Sequence, residues 1–214
     1  MTWFNFLKSN INIYHSVALL KPIVPVFSYN LEERKKSEAY QNFDKNYLDF
    51  AEGYNFFVDF DIKGDFEKGF AEAKEFKKIL DEFKLPYYCL NSSFAGFHFC
   101  IEAKYLPKMP INELITLIRE VIYNLKGIYS LSMLDESVSD LKRVQKCPYS
   151  YVGDGSIALP LDDLQFSTFK QSDVSMRNVL NKVKIMGRGL CVRDWGLTEQ
   201  ELQANVKKFF EEYK

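Results

Sequence analysis

Hydrophobic positions along the chain follow two periods, and the switches between them mark out the elements. Tyr54 to Asp61 (YNFFVDFD) is aromatic and β-branched, and it predicts a central strand. Gly64 and Asp65 then turn the chain. From Phe66 to Phe83 the apolar residues Phe66, Phe70, Ala73, Phe76, Leu80 and Phe83 recur at steps of three and four, the stripe of an amphipathic helix. Leu85 and Pro86 end that helix, and Tyr87 to Asn91 begins another strand. After a small-residue turn, Phe97 to Ala103 (FHFCIEA) alternates cleanly and predicts the hairpin partner. A second helix is expected from about Ile111 to Lys126, with Gly127 as its left-handed terminator. Gly153-Asp154-Gly155 lies between two β-like segments, a hairpin signal. Thr198 with Glu201 three places on forms a capping box, opening a helix that buries Leu202, Val206, Phe209 and Tyr213. Nearer the start, Ile23 to Tyr29 (IVPVFSY) reads as a short strand near an edge because it carries proline. The charged stretch Glu32 to Glu38 reads as a solvated loop or short helix.

The order β-α-β-β-α-β, followed by a hairpin and helices, predicts an α+β fold: a mixed, largely antiparallel sheet with helices on one face and the other face open. One two-lobed domain over 1–214 is expected, with a core at about 24–161 and a helical extension at about 170–214. At 214 residues, 47% of them hydrophobic, the chain has ample material for a core. Its 28 basic and 29 acidic residues, a net charge of −1, exclude a globally basic nucleic-acid coat but not a local basic groove. The 16% aromatic content, 19 Phe and 13 Tyr, must be largely internal. Cys89, Cys100, Cys147 and Cys191 are widely spaced with no CxxC pair, and only His15 and His98 could assist them, which argues against zinc. No signal peptide is read at the start, and no apolar run approaches the roughly 20 residues of a membrane span. An intracellular, cytoplasmic and thiol-reduced protein is the expectation.

Three segments carry candidate chemistry. Asp59 and Asp61, two apart in a strand, project from one face while Val58 and Phe60 point to the core. Adjacent carboxylates repel and are costly to desolvate, so either a divalent cation or Arg and Lys partners must compensate them; a wet outer strand face is the plain alternative. His98 alternates with Phe97 and Phe99 and is expected on the open side. Before it, Asn91-Ser92-Ser93-Phe94-Ala95-Gly96 is small and polar, and Gly96 could admit a ligand to the main chain. A hairpin turn followed by a partly buried histidine is the structural alternative. The third segment runs from Leu134-Asp135 through Asp140, Lys142 and Arg143 to Lys146-Cys147-Pro148-Tyr149-Ser150. Arg143 and Lys146, three apart, could face one anion; alone, the segment is also an ordinary charged loop.

In order and spacing the three segments resemble the archaeo-eukaryotic primase superfamily, the small catalytic primase subunits and primase-polymerases. The matching residues are the hhhDhD strand Phe56 to Asp61, Ser92 with Gly96-Phe97-His98, and the hydrophobic-Asp pair Leu134-Asp135. Asp140, Arg143, Lys146-x-Pro148-x-Ser150 and the Gly153 to Gly155 hairpin follow, as they do in that family. The resemblance covers roughly Val24 to Leu161. Lys146 stands where the family usually has Arg, a point charge in place of a planar fork, and the zinc-binding insertion of many small subunits is absent.

The resemblance implies template-directed nucleotidyl transfer with two Mg²⁺ or Mn²⁺ ions. Asp59, Asp61 and Asp135 would be catalytic and metal-holding, while Ser92, Gly96, His98, Arg143 and Lys146 would bind the nucleotide. Nucleoside triphosphates, a single-stranded DNA template with primer, and a large primase subunit, helicase or other replication protein would be the partners, with no membrane. Between Val174 and Arg193 there are five cations and no carboxylate, and Lys182, Lys184 and Arg188 are candidates for nucleic-acid contact; a solvated helix and loop would look the same. Competing readings are a metal-dependent nuclease, a DxD glycosyltransferase, and a non-catalytic nucleic-acid-binding module.

Overall fold

A computed structural model of the chain describes residues 14–21, 31–61, 64–94, 96–140, 142–152, 155–175, 177–179 and 192–214. The strand expected over Ile23 to Tyr29 and the cations Lys182, Lys184 and Arg188 lie outside these residues. The fold is α+β. Its main sheet has four antiparallel strands in the order β10 (Leu159–Leu161), β5 (Tyr87–Ser93), β6 (Gly96–Ile101) and β4 (Phe56–Asp61). Two-stranded antiparallel ribbons join β1 (Tyr14–Ser16) to β7 (Val144–Lys146), β2 (Ala18–Leu20) to β3 (Ala51–Tyr54), and β8 (Tyr151–Val152) to β9 (Ser156–Ile157). The β8–β9 pairing is the hairpin that the Gly-Asp-Gly signal predicts.

The helices are α1 (Leu31–Lys36), α2 (Glu38–Lys45), α3 (Phe66–Glu82), α4 (Ile111–Tyr129), α5 (Asp163–Ser167) and α6 (Glu199–Tyr213). Helix α3 follows its apolar stripe closely and begins at Asp65, whose side chain accepts from Lys68 N at 3.1 Å. It lays Phe70, Ala73, Phe76 and Leu80 onto the sheet face formed by Val58, Phe60, Phe97 and Phe99. There the aromatic surplus is spent on ring contacts: Phe97 stacks on Phe70 at 5.3 Å, and Phe76 meets Phe99 edge-on at 5.3 Å. Helix α6 starts with the expected capping box and packs Phe209 and Phe210 against Phe56. Among the described residues no helix is long and apolar enough to cross a membrane.

Three expectations need correction. The strand expected over Tyr54 to Asp61 is broken at Asn55, whose side chain accepts from Ala103 N at 2.9 Å; β4 then lies at the end of the sheet rather than its centre. The second sheet face is not open. All six residues of β6 are buried, those on the second face included, and on that face Gln145 on β7 lies against Cys100 and donates to the Tyr88 hydroxyl at 2.9 Å. Burial pushes the Cys100 thiol up to about 12, so it is inert at neutral pH.

Helix α4 also runs past Gly127 and ends at Ser130, which takes the left-handed conformation at φ 55°. Tertiary contacts override the glycine signal here. Leu131 is buried and its N–H returns to the Lys126 carbonyl at 3.0 Å, while the Tyr129 and Tyr213 hydroxyls meet at 2.6 Å. Gly127 is thus an exposed glycine inside a helix, with open space where a Cβ would stand. Gly127→Ala is expected to raise the unfolding free energy by about 0.5 to 1 kcal/mol in urea titrations.

Candidate active site

The site forms along the outer edge of β4. Phe60 and Leu134 make an antiparallel bridge, Asp61 N donates to the Met133 carbonyl at 3.0 Å, and Asp135 N donates to the Asp59 carbonyl at 2.9 Å. Residues 133–135 therefore act as a short extra strand, and main-chain pairing sets Asp135 directly beside Asp59. Two side chains from the helices hold this turn, and a third from β3 holds the segment that follows. Glu72 on α3 accepts from Met133 N and from the Ser132 hydroxyl, both at 2.7 Å. Lys126 on α4 donates to the Leu134 carbonyl at 3.1 Å and pairs with Glu136 at 2.7 Å. The buried Tyr54 hydroxyl donates to the Asp140 carbonyl at 2.7 Å, fixing the descent toward β7.

Arg143 closes the arrangement. One guanidinium nitrogen, Nη2, lies 3.2 Å from Oδ2 of Asp59 and 3.3 Å from Oδ2 of Asp135. Its main chain is fixed on both sides, since Arg143 N donates to the Asp140 carbonyl at 2.9 Å and its own carbonyl accepts from Val17 N at 3.0 Å. Asp135 is further oriented by Ser137, whose N–H and hydroxyl donate to its two oxygens at 2.9 and 2.8 Å. On the inner side, His98 Nε2 lies 3.4 Å from Oδ1 of Asp59, and the ring meets Phe57 edge-on at 4.8 Å. His98 Nδ1 is buried and has no partner among the described residues.

Burial alone would raise the Asp59 carboxyl, but His98 and Arg143 outweigh it and hold the group below the usual carboxylate value. These contacts therefore stabilise the fold at pH above the ordinary carboxylate range. The contribution is lost as pH falls through the lowered value.

Asp59, Asp135, Arg143, His98, Ser92 and Gly96 are brought together as the sequence order implies, but their accessibility differs. The side chains of Asp135 and Arg143 are each 29% exposed and that of Asp59 is 15% exposed, whereas that of His98 is only 6% exposed. His98 thus stands behind Asp59, edge-on to Phe57, and does not face an open surface as expected. Gly96 is corrected in a similar way. A Cβ there would lie 2.4 Å from the Ser92 hydroxyl, 3.2 Å from the Phe60 carbonyl and 3.6 Å from Oδ1 of Asp59. The glycine admits the chain's own Ser92, which sits at an irregularity in the β5–β6 register, rather than a ligand.

Asp61 shares the Asp59 face and is partly exposed, yet among the described residues no three His, Cys, Asp or Glu side chains converge as a metal-holding group. Lys146 alternates with the buried Gln145 and leaves β7 on the opposite side. Of the basic stretch, Arg193 is committed elsewhere: its guanidinium pairs with Asp163 and sits 4.4 Å over the Trp195 ring. Glu72, Lys126, Tyr54, Ser137 and Gln145 escaped the sequence reading. Glu72, Tyr54 and Gln145 act across long stretches of sequence, whereas Ser137, two places after Asp135, carried a local signal.

No protein-family model matches the chain, and no curated protein matches it.

Two carboxylate oxygens already converge on one positive centre, with Asp61 next along the strand. The tight approach at Gly96 is testable. Gly96→Ala is expected to cost about 1 to 3 kcal/mol by overpacking. Adding Ser92→Ala should recover part of that loss in urea titrations, since it removes the hydroxyl that the new methyl meets.

Proposed function

We propose that this chain is the catalytic unit of a primase-polymerase: a nucleotidyltransferase that extends a primer along single-stranded DNA using nucleoside triphosphates and Mg²⁺ or Mn²⁺. One observation carries the reading. Asp59 and Asp135, from distant parts of the sequence, lie side by side on paired backbone and share a single guanidinium, with His98 behind the first. That is the convergence required by the resemblance to the archaeo-eukaryotic primase superfamily, and the α+β order of strands and helices agrees with it.

In this reading Asp59, Asp61 and Asp135 would hold the metal ions, which would activate the 3′-hydroxyl and neutralise charge on the α-phosphate and pyrophosphate. The protein's own task is positioning. His98 fixes the Asp59 carboxylate from the buried side. Ser92 fills the space that Gly96 leaves against the same carboxylate. Arg143, the most accessible cation at the acids, receives the triphosphate through its planar fork. A large primase subunit, helicase or other replication protein would add grip on DNA, because a chain with a net charge of −1 has little electrostatic hold of its own.

The test is incorporation of labelled ribo- and deoxyribonucleotides on primed and unprimed single strands with Mg²⁺ or Mn²⁺. Asp59→Asn and Asp135→Asn should reduce synthesis to background while circular dichroism shows an intact fold. His98→Ala should lower kcat by about 10- to 100-fold, with a smaller change in nucleotide KM. Full synthesis by the double Asp variant would discard the metal assignment, and DNA hydrolysis without synthesis would favour a nuclease.

A further inference from the structure

Arg143 occupies the point that two carboxylates address together. Its Nη2 lies almost equally far from Oδ2 of Asp59 and Oδ2 of Asp135, at 3.2 and 3.3 Å. A divalent cation held by those same oxygens would sit about 2.0 to 2.6 Å from each, in the space between them where the guanidinium now lies. Two positive centres so close together in a partly buried setting repel strongly. Each carboxylate has other fixed partners, His98 for Asp59 and Ser137 for Asp135, so the acids are held in place whether or not the guanidinium stays. Arg143 is also tied at its main chain, between the Asp140 carbonyl and Val17 N, so the mobile part is the side chain alone.

We propose that Arg143 is an internal counterion that competes with the divalent cation for Asp59 and Asp135, and that a triphosphate draws it off the acids, so that metal and nucleotide bind synergistically. The proposal rests on the polymerase reading above and adds to it an order of events. A guanidinium leaving two carboxylates needs another anion, and a triphosphate offers the paired oxygens that a planar fork matches. Because linkage is reciprocal, a nucleotide that tightens metal binding must be tightened by metal to the same extent.

The experiment measures Mn²⁺ binding by loss of the free-ion electron paramagnetic resonance signal, on the full chain, with and without a non-hydrolysable deoxynucleoside triphosphate analogue. Metal bound to the analogue alone is subtracted. For the unaltered protein the analogue should tighten Mn²⁺ binding about tenfold or more. Arg143→Gln should bind Mn²⁺ about tenfold more tightly than the unaltered protein without nucleotide, and should lose most of the enhancement. Arg143→Lys, which keeps the charge but not the fork, should fall between them; it also guards against a glutamine variant that fails to fold. Asp59→Asn should bind Mn²⁺ poorly under every condition.

If both Arg143 variants bind Mn²⁺ no more tightly than the unaltered protein while Asp59→Asn still weakens it, the competition is overturned and the metal site stands. If no Mn²⁺ binds to any of the proteins, with or without the analogue, the polymerase reading falls and this proposal falls with it.

Discussion

The charge balance at the outer edge of β4 constrains the rest of the site. Main-chain pairing between Phe60 and Leu134 places Asp59 and Asp135 side by side, and the mutual repulsion of two carboxylates so arranged is offset by a shared cation. Arg143 supplies that charge from a third segment, and His98 supports Asp59 from behind. The Asp59 carboxylate is therefore held ionised by His98 and Arg143, and the main chain of Arg143 is itself fixed by backbone hydrogen bonds. Removing a single partner from such a cluster leaves a partly buried charge with less compensation.

The anchors behind the cluster are ordinary fold residues put to a second use. Glu72 belongs to the polar side of a helix whose apolar side covers the sheet, yet it also accepts two hydrogen bonds from the turn that carries Asp135. Tyr54 ends β3 inside the core, and its hydroxyl holds the Asp140 carbonyl just ahead of Arg143. The geometry at the acids thus depends on how α3 and β3 are seated as much as on local sequence.

What could be read from the sequence follows from range. The stripe of Phe66 to Phe83, the alternation of Phe97 to Ile101 and the Thr198 capping box are short-range patterns, and each element forms where its pattern lies. The Asp59–Asp61 face could be read for the same reason, since strand alternation is local. Gly127 misled because its local signal was outweighed by the burial of Leu131 and the contact of Tyr129 with Tyr213, both made only in the folded chain. His98 misled differently. Alternation gave its sheet face correctly, but that face is covered by contacts from far along the chain, such as Gln145 on Tyr88. Gly96 does mark a close approach to the main chain, and the group that makes it is the Ser92 hydroxyl.

Residues 133–135 also bear on association between chains. An unpaired outer strand is a template for adding strands from other molecules, and β4, rich in phenylalanine, would be a potent one. The segment that brings in the third acid also blocks part of this template by engaging the main chain at Asp59 and Asp61. Any change that frees the turn from Glu72 would expose backbone donors and acceptors on an aggregation-prone edge. Solubility and the integrity of the acidic cluster are therefore guarded by one latch.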